Sequence, residues 1–208
     1  MAKSEIIKDI VKKNITLEDA LLRLKIITSS LQNEDLNRWI DSELSGYSSE
    51  VDLPEYRKKV GYVIRYSGIN GSFQVNNQVL PESFFPKEIK KVIQNRYLLQ
   101  NISSIEKSAK NDTQSVYNLI DLAGIVQKNS DGYIQCMKLE QVIDKQSFYY
   151  VIGQVKNQLI SILLDLEKEF GVLDELDIAI EEKNDQEIRD INKEISGKLF
   201  FDGKSEVY

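Results

Sequence analysis

Before Gly46, apolar residues recur at helical spacing. Ile6, Ile7, Ile10 and Val11 form a short stripe. Leu17, Ala20, Leu21, Leu24, Ile27 and Leu31 then mark one apolar face over about four turns. Thr16 and Asp19 have the spacing of a capping box, with Asp in place of Glu. Leu36, Trp39, Ile40 and Leu44 predict a third helix, with Gly46 where a left-handed C-terminal cap is expected. The short link makes the second and third helices antiparallel neighbours.

The pattern changes after Tyr47. Pro54 prevents a continuous helix, and Val60 to Tyr66 is rich in Val, Ile and Tyr, which predicts a strand. Ser67-Gly68-Ile69-Asn70-Gly71 contains Asn-Gly, a hairpin signal, and Phe73 to Val79 is the expected return strand. A second hairpin is expected from Gly124–Val126, through Asn129-Ser130-Asp131-Gly132, into Tyr133–Met137. Between them, Pro86 opens a predicted helix carrying Ile89, Val92 and Ile93. The polar stretch from Asn101 to Val116 has no clear period.

Phe148, Ile152, Val155, Leu159, Ile162 and Leu166 alternate spacings of four and three, a heptad seam. Val151, Ile160, Leu163 and Leu164 widen it, so a central core helix is expected, with part of its surface kept for a partner. Gly171 should end that helix. Ile188, Ile191 and Ile195 suggest another, stopping at Gly197. The expected fold is therefore α+β: N-terminal helices, a small antiparallel sheet built from two hairpins, and long C-terminal helices. One domain over residues 1–208 is the economical reading, with a helical part at 1–48, a mixed part at 56–140 and a helical part at 145–197.

Composition narrows the chemistry. The net charge is −6, which disfavours nucleic acid unless basic residues segregate. The single cysteine, Cys136, allows no internal disulfide and fits a reducing compartment. The start MAKSEIIKDIVKKN lacks a signal-peptide core, and no apolar run suits a membrane helix. A cytoplasmic location follows as the expectation. Histidine is absent, so Ser-His-Asp and Cys-His machinery cannot be assembled. A structural zinc site would lack ligands, although carboxylate-bound magnesium stays open. No catalytic, cofactor-binding or metal-ligating residue is assigned, and no cofactor is expected.

Each remaining candidate has two readings. Gly68, Asn70 and Gly71 could cradle phosphate, but no Walker or GxGxxG pattern surrounds them, and the hairpin turn is preferred. Glu34 and Asp35, Glu181 and Glu182, and Asp174, Glu175 and Asp177 could serve a metal. Solvated helix faces carry such residues too, and that reading is favoured. Lys87, Lys90, Lys91 and Arg96, with Phe84, Phe85 and Tyr97, could bind nucleic acid by charge and stacking, or form an ordinary amphipathic helix. Cys136 is read as a small buried hydrophobe. Trp39, Tyr47, Tyr56 and Arg57 either lock the helix-to-strand crossover, Arg57 pairing with a carboxylate such as Glu43, or form a surface patch for a partner.

This same segment resembles the AbiTii domain of bacterial phage-defence proteins. That family has a leucine-rich helical start, a W-[IV]-x-x-E-L-x-G-Y segment and an L-P-x-Y-R segment. Here they read Trp39-Ile40-Asp41-Ser42-Glu43-Leu44-Ser45-Gly46-Tyr47 and Leu53-Pro54-Glu55-Tyr56-Arg57. Leu17-Glu18-Asp19-Ala20-Leu21-Leu22-Arg23-Leu24 fits the start, and Phe148–Phe170 resembles the family's late helix, with Lys156 where an arginine is expected. The resemblance implies abortive infection and carries over no catalytic residue. The expected function is a non-catalytic defence module, acting by self-association or by binding another defence-system protein. Trp39, Tyr47, Tyr56, Arg57, Phe148, Ile152, Val155 and Leu159 are its candidate interaction residues. The alternatives are a metal-dependent nuclease-type toxin using acidic residues, and a nucleic-acid-binding module.

Overall fold

The computed structural model describes residues 3–48, 53–58, 60–111 and 114–200. Along the chain lie α1 (Glu5–Lys12), α2 (Leu17–Ile27), α3 (Glu34–Ser45), α4 (Glu55–Lys58), β1 (Tyr62–Asn70) and β2 (Phe73–Val79). Then come α5 (Lys87–Gln94), α6 (Ile102–Lys110), β3 (Val116–Asn118), α7 (Ala123–Asn129), β4 (Ile134–Ile143), α8 (Lys145–Phe170) and α9 (Asp185–Phe200). The α+β class holds, with helices at both ends and one antiparallel sheet. Contacts divide the chain into two units. The first takes the residues up to Tyr56, Leu99–Lys107 and those from Tyr150 on; the second takes Arg57–Leu98 and Ser108–Tyr149.

In the first unit, α2 packs against α1 and α3, and α3 against α9. Leu17, Ala20, Leu21, Leu24, Ile27 and Leu31 are all buried, as their spacing predicts. Thr16 Oγ1 accepts from Asp19 N at 3.0 Å, the N-cap half of the capping box, and the Asp19 carboxylate accepts from the Thr16 hydroxyl at 2.8 Å. Asn33 caps α3 by accepting from Leu36 N, and its amide donates to Asn192 on α9 at 3.2 Å. On α8, Val151, Val155, Leu159, Ile162, Leu163 and Leu166 are buried, each worth about 1.5–3 kcal/mol of transfer free energy. Glu167 ties the start of the chain down: its Oε1 accepts from Ser4 N and Ser4 Oγ, both at 2.7 Å, and its Oε2 from Lys3 Nζ at 2.5 Å.

Two expected helix stops differ. Gly46 has φ 95° with ψ 162°, outside the left-handed helical cap region. A Cβ there would stand 3.0 Å from the Leu99 carbonyl oxygen, so close approach of backbone accounts for the glycine. Gly197 does not end α9, which continues to Phe200 because Leu199 is buried on the same apolar face. Gly171, at φ 83°, follows the end of α8 as expected.

The second unit holds a sheet of order β2-β1-β4-β3, antiparallel throughout. Its core contains Ile64, Tyr66, Leu80, Phe85, Ile93, Val126 and Leu139. The β1–β2 hairpin is present, with its turn one residue later than the Asn-Gly pair. Asn70 pairs with Phe73, leaving Gly71 at φ 60° and Ser72 as the turn. Glycine at the first turn position suits the right-handed strand twist. The second hairpin is absent. Gly124 to Val126 lies in α7, and Asn129-Ser130-Asp131-Gly132 ends that helix instead of joining two strands. Ser130 N donates to Val126 O, and Gly132 N to Gln127 O at 2.9 Å. Residues that favour positive φ close helices as readily as hairpins, and here Asp131 and Gly132 have φ 51° and 82°. β4 pairs with β1 and β3 in place of the expected hairpin partner.

Candidate interaction site

The aromatic residues conspicuous in the sequence lie inside the first unit. Trp39 and Glu43 are one turn apart on α3 and share a face. Trp39 Nε1 donates to Tyr56 Oη at 3.0 Å, and Tyr56 Oη donates to Glu43 Oε1 at 2.8 Å. Tyr47 Oη donates to the same oxygen at 2.7 Å. Glu43 is fully buried, so these phenolic donors offset the desolvation that its carboxyl group suffers. Glu43 is more deeply buried than Leu44, which the helical spacing places on the apolar face. Arg57 belongs to the second unit; it is fully buried and donates to the Leu98 carbonyl at 2.7 Å. On α8, Phe148, Val155 and Leu159 are buried and Ile152 is half-buried. The structure thus brings Trp39, Tyr47 and Tyr56 together around one carboxyl group, and leaves the α8 seam facing a core.

The other candidates have local explanations. Phe85 is core, and the Arg96 guanidinium lies 4.8 Å from the centre of the Tyr117 ring while its Nε donates to Gln141. Asp174 accepts from Glu5 N at 2.7 Å, capping α1. Burial pushes the Cys136 thiol pKa up, away from the reactive thiolate. Among the described residues, no three carboxylate or cysteine side chains converge in a way that could hold a metal ion.

Exposed apolar residues gather instead at one end of the second unit's sheet. Between Ser67 and Gly68, β1 advances one residue while β4 advances from Lys138 to Cys136. Met137 is therefore the extra residue of a bulge, and a bulge re-aims its side chain. It is 73% exposed. Gly68 makes the bulge possible, because a Cβ there would lie 2.0 Å from the Gln135 carbonyl oxygen. β2 has its own irregularity opposite, with Asn77 at φ 54°. Beyond the bulge, Gly71 N donates to the Tyr133 carbonyl at 2.8 Å, and the Tyr133 ring lies over Gly71. Phe73 and Tyr133 are 75% and 67% exposed. Ile69, Phe73, Gln74 and Met137 line one shallow concavity. The residues that line it, Ile69, Gly71, Ser72, Phe73, Gln74 and Met137, are all neutral, although the exposed Lys138 follows Met137 directly.

A family model described as AbiTii matches residues 3–191. The chain belongs to the AbiTii family. Membership places it in abortive-infection phage defence. No curated protein and no solved structure matches the chain. The AbiTii match spans both the buried Trp39–Tyr56 cluster and the exposed hairpin end, so it covers each of the surfaces compared above. No described helix of this AbiTii chain is long and apolar enough to cross a membrane.

Proposed function

We propose that the chain acts in abortive infection as a non-catalytic module that self-associates through the outer end of its sheet, centred on Phe73, Tyr133 and Met137. The observation that carries this reading is the uncharged concavity lined by Ile69, Phe73 and the bulged Met137, with the exposed Tyr133 at the same end of the sheet. Phe, Tyr and Met are the residue types enriched at interface centres. Each copy carries −6, so two copies repel, and contact costs least electrostatic work where the surface is neutral. Gln74 and Gln135 border the patch. Each amide both donates and accepts, so the same surface can meet its own copy across a two-fold axis. Association responds to concentration by mass action, so accumulation of the chain during infection would shift it from one state to the other.

The test is protection of a host carrying the chain with its native neighbouring genes, scored by phage plating efficiency. The combined change Phe73→Ser, Tyr133→Ser and Met137→Ser should abolish protection while leaving the protein folded. Full protection by this variant, at wild-type protein level, would refute the reading.

A further inference from the structure

One face of α8 lines a cleft of about 380 Å³ within the first unit. Its floor is Gln154, Asn157, Gln158 and Ser161. Their spacing places them on one helical stripe about 10 Å long. Pro54, Glu55 and Tyr56 form one wall, so a carboxylate borders the neutral floor, and Gly197, Lys198 and Leu199 of α9 stand on the other side. This stripe differs from the other solvated helix faces of the chain. The outer face of α9 carries Asp185, Glu187, Arg189, Asp190, Lys193 and Glu194, whereas the α8 stripe carries amides and a hydroxyl without charge.

The polar groups of the floor are partly committed. Gln158 Nε2 donates to the Lys198 carbonyl at 3.0 Å, which fixes the floor against α9. The side chains of Gln154, Asn157 and Ser161 make no hydrogen bond to protein among the described residues. The Lys198 ammonium is held by Asp165, and by Glu194 at 3.5 Å, so it offers little to a phosphate. Gly197 has nothing within 4 Å of the position a Cβ would take, so packing does not require glycine there. In mid-helix it is a costly residue, and at this point it lines the cleft.

We infer that this cleft binds an uncharged nucleoside through the edge of its base. A cleft of this size falls among small-molecule sites. Primary amides pair with adjacent donors and acceptors on a base edge, and two amides one turn apart can engage such an edge together. Among the described residues that line the cleft, the one ammonium, Lys198, is paired and Glu55 adds a carboxylate, so the lining disfavours a phosphate. The site is independent of the sheet surface proposed for self-association.

Calorimetric titration of the whole chain tests this, with adenosine, guanosine, cytidine and uridine as probes, and adenosine monophosphate and glucose for comparison. At least one nucleoside should bind with a Kd below about 1 mM. Gln154→Leu combined with Asn157→Leu should weaken it about tenfold or more. Ser161→Ala, which removes a single hydroxyl, should weaken it about threefold and serves as the reading if the double variant does not fold. Val92→Ser, at an exposed position on α5, should leave binding unchanged. The inference is overturned if no nucleoside binds at millimolar concentration, if the folded floor variants bind as tightly as wild type, or if glucose or the monophosphate binds in preference.

Discussion

Two groups of aromatic side chains in this molecule have opposite fates. In the first unit, Trp39, Tyr47 and Tyr56 close around the buried Glu43 carboxyl group and spend their polar atoms on one another. In the second, Phe73 and Tyr133 lie at the hairpin end beyond the bulged Met137, and all three keep most of their surface in water. The difference lies in what surrounds them. Helix α3 offers a carboxyl group one turn from a tryptophan, so burial of the aromatics satisfies their hydroxyls. At the hairpin end, Gly68 and Met137 break the ladder and turn apolar side chains away from the core. The first group is buried with its polar atoms paired; the second is exposed to solvent.

The largest effect should come from dismantling the buried group. Glu43→Ala leaves the Tyr47 and Tyr56 hydroxyls without their acceptor, and urea unfolding should show a loss of about 3–5 kcal/mol. Glu43→Gln keeps an acceptor oxygen and should cost clearly less. Next comes the bulge. Gly68→Ala forces a methyl onto the Gln135 carbonyl and should cost about 2–4 kcal/mol. Amide exchange should rise in β1 and β4 and stay slow in α2 and α3.

A smaller effect separates charge from packing in the first unit. Burial pushes the Glu167 carboxyl pKa up, but the Lys3 and Ser4 donors outweigh it and hold it at about 2 instead of 4.5. The folded state therefore binds fewer protons than the unfolded chain. This contribution is complete above pH 4.5 and is lost as pH falls toward 2. Glu167→Gln should cost about 1–2 kcal/mol at neutral pH and flatten the acid limb of the stability profile. The smallest effect sharpens the contrast most. Phe73→Ser, Tyr133→Ser and Met137→Ser, tested singly, should each change stability by no more than about 0.5 kcal/mol, because exposed side chains contribute little to folding.

Local patterns made much of the fold legible. The α2 stripe, the Thr16 cap, the β2 strand and the long α8 helix all follow from spacing or capping chemistry within a few residues. The rest depends on partners distant in sequence. Asn129-Ser130-Asp131-Gly132 ends a helix here because Val126 packs into the second unit's core, which no local signal reveals. Glu43 is an ordinary helix glutamate until Tyr56 folds back over it. Met137 reads as a strand residue until its register against Gly68 is known. The tryptophan and tyrosines of the family motif read from sequence either as a lock on the crossover or as a surface patch, and their hydroxyl and indole donors point inward. The exposed residues at the hairpin end come from the starts of β2 and β4, the two neighbours of β1, and only the register brings those starts to the same end of the sheet.

The most direct measurement is absolute mass by light scattering after size exclusion, across a concentration series, for wild type and for the combined Phe73→Ser, Tyr133→Ser and Met137→Ser variant. Self-association through the sheet end requires a wild-type mass that is a multiple of 23.9 kDa and falls on dilution, with the variant at 23.9 kDa throughout. A wild type that stays at 23.9 kDa at every concentration, or a variant with the wild-type mass, would contradict it.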